Sequence, residues 1–182
     1  MKLLECKLCK LHKKRTQVVL PLIIGTVPLV MFIAEAPGKT EDKSGLPLCG
    51  KSGDINNKLI DLIGLKSYIL ANCVQCRPVD KNGKNGKPKD SQMEKCKVWL
   101  DMIYGKYKPK LIVLYGEYAL KNMLGFTNIS NYVGRFFEHK FAGEDVIFFI
   151  MYHPATVLYN KKKYWPIFER HALLINKFFG GK

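Results

Sequence analysis

Nowhere in the sequence do apolar side chains run on for the ~18 residues that a membrane-spanning helix requires. The N-terminus offers Cys and Lys in place of the apolar core of a secretory segment. Both absences point to a soluble, intracellular protein with no membrane partner. Acidic side chains are scarce too: 15 Asp and Glu face 30 Lys and Arg, for a net charge of +15. In a chain that is 47% hydrophobic, this imbalance excludes a disordered basic tail and describes a folded protein whose first expected partner is a polyanion. Solvated lysines alone would give the same total, so charge does not identify the partner. There is no Pro-, Gly- or Ser-rich linker, and the Lys-Asn-Gly doublet within 81–89 is local, not a repeat architecture. Residues 1–182 are therefore read as a single domain, large enough to bury a core without disulfides or metal.

What the chain does contain is a stretch around which the rest is organised, from Pro28 to Gly53. Seven largely apolar residues read as a buried strand, and Glu35-Ala36-Pro37-Gly38 stops it at once, placing a carboxylate at a strand C-terminus. Open α/β sheets keep their active sites there. Strand character recurs at 29–34, 68–74, 111–115 and 146–152, alternating with helical patterns at 54–63, 91–104, 116–124 and 164–179. That alternation predicts a parallel sheet with helices on both faces. Residues 18–24 suit an edge strand, 6–14 a short helix or knuckle, and 126–143 an irregular segment with a hairpin around Phe136, Phe137 and Phe141. The segment 81–89, with turn residues and charge but no apolar side chain, predicts an exposed, mobile loop.

Of the six cysteines, Cys6 and Cys9 form a Cys-x-x-Cys pair, Cys76 follows the second strand and Cys96 sits on the next helix. In an intracellular chain these are thiols or metal ligands rather than disulfides. Four sulfurs from three places suit tetrahedral zinc or a [4Fe-4S] cluster, and the spacing does not choose.

Three motifs stand in order. The first is Ala34-Glu35-Ala36-Pro37-Gly38, then Glu41-Asp42, then Gly45 to Gly53; the second is Ala71-Asn72-Cys73-Val74-Gln75-Cys76-Arg77-Pro78; the third is His153-Pro154-Ala155. Together with the four cysteines, they resemble the uracil-DNA glycosylase superfamily and specifically its iron-sulfur branch, family 4, over roughly residues 3 to 178. The resemblance implies a three-layer α/β/α sandwich with a central four-stranded parallel sheet. It implies a [4Fe-4S] cluster, in preference to zinc, on Cys6, Cys9, Cys76 and Cys96, tying residues 6–9 to 76–96. The implied activity is hydrolysis of the N-glycosidic bond of deoxyuridine in single- or double-stranded DNA by a monomer.

That reaction develops positive charge on the sugar and negative charge on uracil, so it needs an acceptor near one and donors near the other. By resemblance, Glu35 orients or activates water and stabilises the sugar, and His153 donates to uracil O2. Asn72 is the candidate for specificity, since its carboxamide offers an acceptor to N3–H and a donor to O4, a pairing that cytosine reverses. Ala36, Glu41 and Leu48 complete the expected substrate site; for Glu41 and Asp42, a wall near uracil C5 and a purely loop-holding role stand as alternatives. Reaching a paired base requires extruding it. Leu158 is the expected wedge, and Arg77, Lys161 and Lys162 the expected phosphate contacts.

The chain departs from the family at Leu48, where Phe is usual, and at Ala34, Gln75, Tyr159 and Gly134-Arg135. These departures motivate one alternative, a non-catalytic iron-sulfur DNA-binding protein. A covalent branch with His in the place of Cys76 is rejected, because Cys76 is present and the 81–89 loop has no His.

Overall fold

A computed structural model describes residues 3–181. Six strands form one sheet: β1 (Leu22–Ile24), β2 (Val30–Ala34), β3 (Tyr68–Asn72), β4 (Leu111–Tyr115), β5 (Phe136–Phe141) and β6 (Glu144–Met151). Their order is β1-β3-β2-β4-β6-β5. The inner four, β3-β2-β4-β6, are parallel, as the alternating pattern predicts, and β1 and β5 add antiparallel edges that raise the expected four strands to six. β1 is shorter than the 18–24 segment, and the hairpin expected around Phe136 and Phe141 is β5 turning into β6.

Every residue of β2 and β4 is buried, which is why their sequences are apolar without alternation. The period of two survives in which face each side chain joins. Met31, Ile33, Ile112 and Leu114 enter one core cluster, with Trp99 and Leu100 of α3 (Asp90–Tyr107) and Leu120 of α4 (Gly116–Leu124). Val30, Phe32, Val113 and Tyr115 enter the other, with Leu59 of α2 (Lys51–Ile63) and Phe168 of α6 (Lys161–Phe178). The result is helix, sheet and helix in three layers.

Three helical features differ from the sequence reading. A short α1 (Lys39–Ser44) occupies what reads as loop, α2 begins at Lys51, and α6 begins at Lys161 after one turn of α5 (Ala155–Tyr159). Lysines 161–163 hide the start of α6 from an apolar-period reading, while Asn160 caps it by accepting from Lys163 N at 3.0 Å.

The chain moves from β2 to β3 across one face, through α2, and reaches β4 and β6 across the other, through α3 and α4. The sheet's winding therefore reverses between β2 and β4. Crevices at such a point, at strand C-termini, receive ligands.

Candidate active site and cysteine pocket

Parallel register brings the ends of β2, β3, β4 and β6 to one edge: Ala34 pairs with Asn72 and Tyr115 with Met151. Glu35, Asn72 and His153 thus emerge at the same end of the sheet from three strands. A cleft of about 340 Å³ opens there, with Glu35, Ala36, Lys87, His153, Thr156 and Tyr159 on its walls.

Burial pushes the Glu35 carboxyl above its ordinary 4.5, opposed by Lys87, whose Nζ lies 3.3 Å from Oε2. Burial, reinforced by the Lys87 charge, lowers His153 to about 4, so its imidazole is neutral near pH 7. Its Nδ1 lies 3.1 Å from Ala155 N and accepts that N–H, which assigns the ring proton to Nε2. The Thr156 hydroxyl donates to the His153 carbonyl at 2.8 Å, and the edge of Tyr115 stands 6.3 Å from the imidazole between centroids. A Cβ on Gly116, at φ +86°, would lie 3.3 Å from His153 Cβ, so the turn after β4 keeps room for the histidine. The site therefore presents a carboxylate held by a cation and a neutral N–H donor.

Asn72 is 2% exposed and its Nδ2 has no partner. A buried unpaired amide donor costs free energy until something accepts from it. Leu48, at φ +49°, is buried in the apolar cluster beneath α2, and neither it nor Asn72 lines the open cleft. A Cβ at Gly53 would come within 1.8 Å of the Leu48 carbonyl oxygen, so glycine there lets the two backbone segments touch. Glu41 holds its own loop: Oε2 accepts from Gly38 N at 3.1 Å and Oε1 from Gly50 N at 3.3 Å. Asp42, 2% exposed, accepts from Thr16 N with both oxygens and ties the N-terminal segment to this loop.

Arg77 is 9% exposed; Nε donates to Asn85 Oδ1 at 2.7 Å and Nη2 to the Gly83 carbonyl at 3.1 Å. It organises the 81–89 loop, and with the Val79–Asn85 bridge it pins a loop that the sequence reading leaves mobile. Lys161 and Lys162 are exposed on the first turn of α6, where the helix dipole disfavours cations unless an anion joins them. Leu158 is 47% exposed on α5, and Tyr159, noted in the sequence only as a departure, is 88% exposed at the cleft wall.

Cys6, Cys9, Cys76 and Cys96 line one pocket with Arg15 and Trp99. Arg15 Nη1 donates to Cys76 Sγ at 3.1 Å and to the Cys6 carbonyl at 3.0 Å; Gln75 N donates to Cys96 Sγ at 3.4 Å. Burial pushes Cys96 up to about 12 and raises Cys76 against the pull of Arg15. Four soft donors with N–H groups aimed at two of the sulfurs fit a metal-sulfur group. Among the described residues, no three His, Cys, Asp or Glu side chains gather at the spacing of a single bound ion. Cys73 is fully buried outside this set, and Cys49 is exposed beside Ser44 Oγ.

Sequence reasoning took Lys87 only as one of the 81–89 lysines that could anchor phosphates and missed its pairing with Glu35, and it missed Arg15 and Asn56 altogether. Lys87 and Arg15 are single cations among many, and only folding places them. Asn56 left a trace, a carboxamide within the apolar stripe of α2; it is fully buried and its Oδ1 accepts from Tyr115 OH at 2.8 Å.

The family model described as Uracil DNA glycosylase superfamily matches residues 25–176. A type-4 uracil-DNA glycosylase of Sulfurisphaera tokodaii is 33% identical over 165 residues, which are 86% of this chain and 73% of that protein. A type-4 uracil-DNA glycosylase of Archaeoglobus fulgidus is 31% identical over an alignment of 185 positions, gaps included, that covers 96% of this chain and 90% of that one. The protein of the same name from Pyrobaculum aerophilum is 30% identical, covering 97% and 89%.

Proposed function

The chain belongs to the uracil-DNA glycosylase superfamily, and from that premise we propose that it is a DNA repair glycosylase that hydrolyses the N-glycosidic bond of deoxyuridine. The observation that carries the reading is the pairing of a carboxylate and a neutral histidine N–H across one cleft. As the bond to uracil N1 breaks, the electron pair leaves with the base and negative charge gathers on its oxygens. His153 Nε2–H donates to O2 without giving up its proton. Glu35 faces the electron-poor sugar, orients the attacking water and receives its proton; uracil departs as its N1 anion and is protonated as Glu35 gives that proton up to solvent, which leaves uracil and an abasic site. Lys87 favours the ionised form of Glu35 against the burial that disfavours it. Asn72 Nδ2 donates to uracil O4 and Oδ1 accepts from N3–H, a match that leaves cytosine with its donors and acceptors opposed.

Leu158, with Tyr159 beside it, fills the space left by the extruded nucleotide, and Lys161 and Lys162 take its flanking phosphates. Cys6, Cys9, Cys76 and Cys96 hold a [4Fe-4S] cluster, which when bound ties residues 6–9 to the segment after β3 and supplies structural support. No helix among the described residues is long and apolar enough to cross a membrane, and a substrate in DNA places the protein inside the cell.

The test is release of uracil from a single-uracil duplex, followed as alkali-labile abasic sites, with a thymine duplex as control. Glu35→Gln and His153→Asn should each lower single-turnover excision by about 10²-fold or more while DNA affinity holds. Binding without any excision by the unaltered protein would instead establish the non-catalytic alternative, with Leu48→Phe the first substitution to try.

A further inference from the structure

α5 is a ridge with a cleft on each side. Thr156 and Tyr159 face the cleft that holds Glu35 and His153. Val157 and Leu158 face a second cleft of about 360 Å³, completed by Ile55 and Lys58 of α2 and by Lys161 and Trp165 of α6. Ile55 and Val157 are 9% and 2% exposed and give it an apolar floor; Leu158, Lys58 and Lys161 reach solvent. Trp165 Nε1 donates to Glu169 Oε1 at 2.8 Å, one turn further along α6, so the indole's polar edge is already satisfied. What remains to the cleft is apolar ring surface between two ammonium groups.

We propose that this second cleft takes one unstacked base of the DNA strand next to the extruded nucleotide, stacked on Trp165 with its flanking phosphates on Lys58 and Lys161. The proposal rests on the glycosylase reading only in taking DNA as the ligand. Extrusion over the α5 ridge strips a neighbouring base of its stacking partner, and an indole replaces that partner whatever the base, since every base has a π-face. The charges select the occupant. The residues lining the cleft carry two cations and no carboxylate. A second copy of this chain would bring another +15 against them, whereas a nucleic-acid strand brings the complementary charge.

The chain's two tryptophans make the cleft observable. Trp99 is 4% exposed and lines the cysteine pocket, so a DNA-dependent change in fluorescence reports Trp165. The full-length protein, with its iron-sulfur content checked, is titrated with a short oligothymidylate that contains no uracil. Saturable quenching is expected. Trp165→Phe should lose that signal yet keep its affinity, and Trp165→Leu should weaken binding by about 5- to 150-fold. Lys58→Gln with Lys161→Gln should lower the salt slope of single-strand binding by about 1.4. Unchanged wild-type fluorescence, or undiminished affinity in Trp165→Leu, would overturn the proposal. So would a fluorescence change that follows protein concentration without DNA, which would mark a self-association face. Should Trp165→Leu fail to fold, the Phe and lysine variants still decide. Quenching without uracil release would sink the glycosylase reading alone, and release without quenching would sink the second cleft alone.

Discussion

Burial lifts the proton affinity of Glu35 while Lys87, 3.3 Å away, lowers it, and the same burial with the same lysine drives His153 down to about 4. The proposed mechanism needs Glu35 ionised and His153 neutral. Histidine protonates only near 4, so the acid limb of kcat/KM belongs to Glu35 and lies above the ordinary carboxylate value of 4.5. Lys87→Met removes the opposing charge, and its pH–rate profile should show the limb moved to higher pH, with Lys87→Arg restoring it. A limb that stays in place would remove Lys87 from the site's electrostatics. His171 contributes a separate pH dependence. It is 3% exposed, its Nδ1 has no partner, and burial lowers it from 6.5 to about 4. Between those values the unfolded chain binds a proton that the folded one refuses, so stability is full above about 6.5 and falls as the pH drops toward 4. Thermal midpoints measured from neutral to acidic buffer should decline through that window, with a shallower slope in His171→Phe. Glu35 and His153 were legible in the sequence because each stands beside a turn that ends a strand. Lys87 was not, because its partner lies across a loop closure.

The connection from β2 to α2 is a polar loop by sequence and a braced one by structure. Glu41 accepts from the N–H groups of Gly38 and Gly50, so Glu41→Ala would leave two backbone donors without an acceptor. It should cost about 1–2 kcal/mol in chemical denaturation and reduce excision, because the braced loop carries Ala36 and the backbone beside Glu35. An unchanged denaturation midpoint would contradict the strut. The same contrast holds in the 81–89 loop. Its Lys-Asn-Gly composition reads as mobile, yet Asp80 Oδ1 accepts from Asn82 N and Lys84 N, both at 2.8 Å, and Arg77 reaches in from the strand side. Turn chemistry shows that a chain bends; only coordinates show which side chain holds the bend.

For the molecule as a whole, the cysteine pocket joins the N-terminal turns to the segment after β3 and to α3, three pieces otherwise linked by few elements of regular structure. Cys96→Ala should therefore lower iron content, thermal midpoint and DNA affinity together. Loss of excision with midpoint and affinity intact would argue for a direct chemical role of the cluster instead. The positive charge acts at this scale as well, drawing DNA to every orientation of the surface. The shape of the strand-end cleft selects the productive one.

Alternating apolar periods, three ordered motifs and four spaced cysteines determined the parallel α/β/α core and the family, and with them the candidates Glu35, Asn72 and His153. The periods and motifs are local, written in neighbouring side chains that share one strand, turn or helix, and the cysteines are legible because their residue type is itself the signal. Tertiary structure alone decided that Glu41 braces a loop, that Arg77 is buried, that Lys87 meets Glu35, that Arg15 meets Cys76, and that α5 divides two clefts. Some of those encounters span a single loop, as at Glu41 and Arg77, and others join residues many positions apart, as at Lys87 and Arg15. A sequence states which charges and donors exist, but their partners depend on distances that only the packed sheet and helices set.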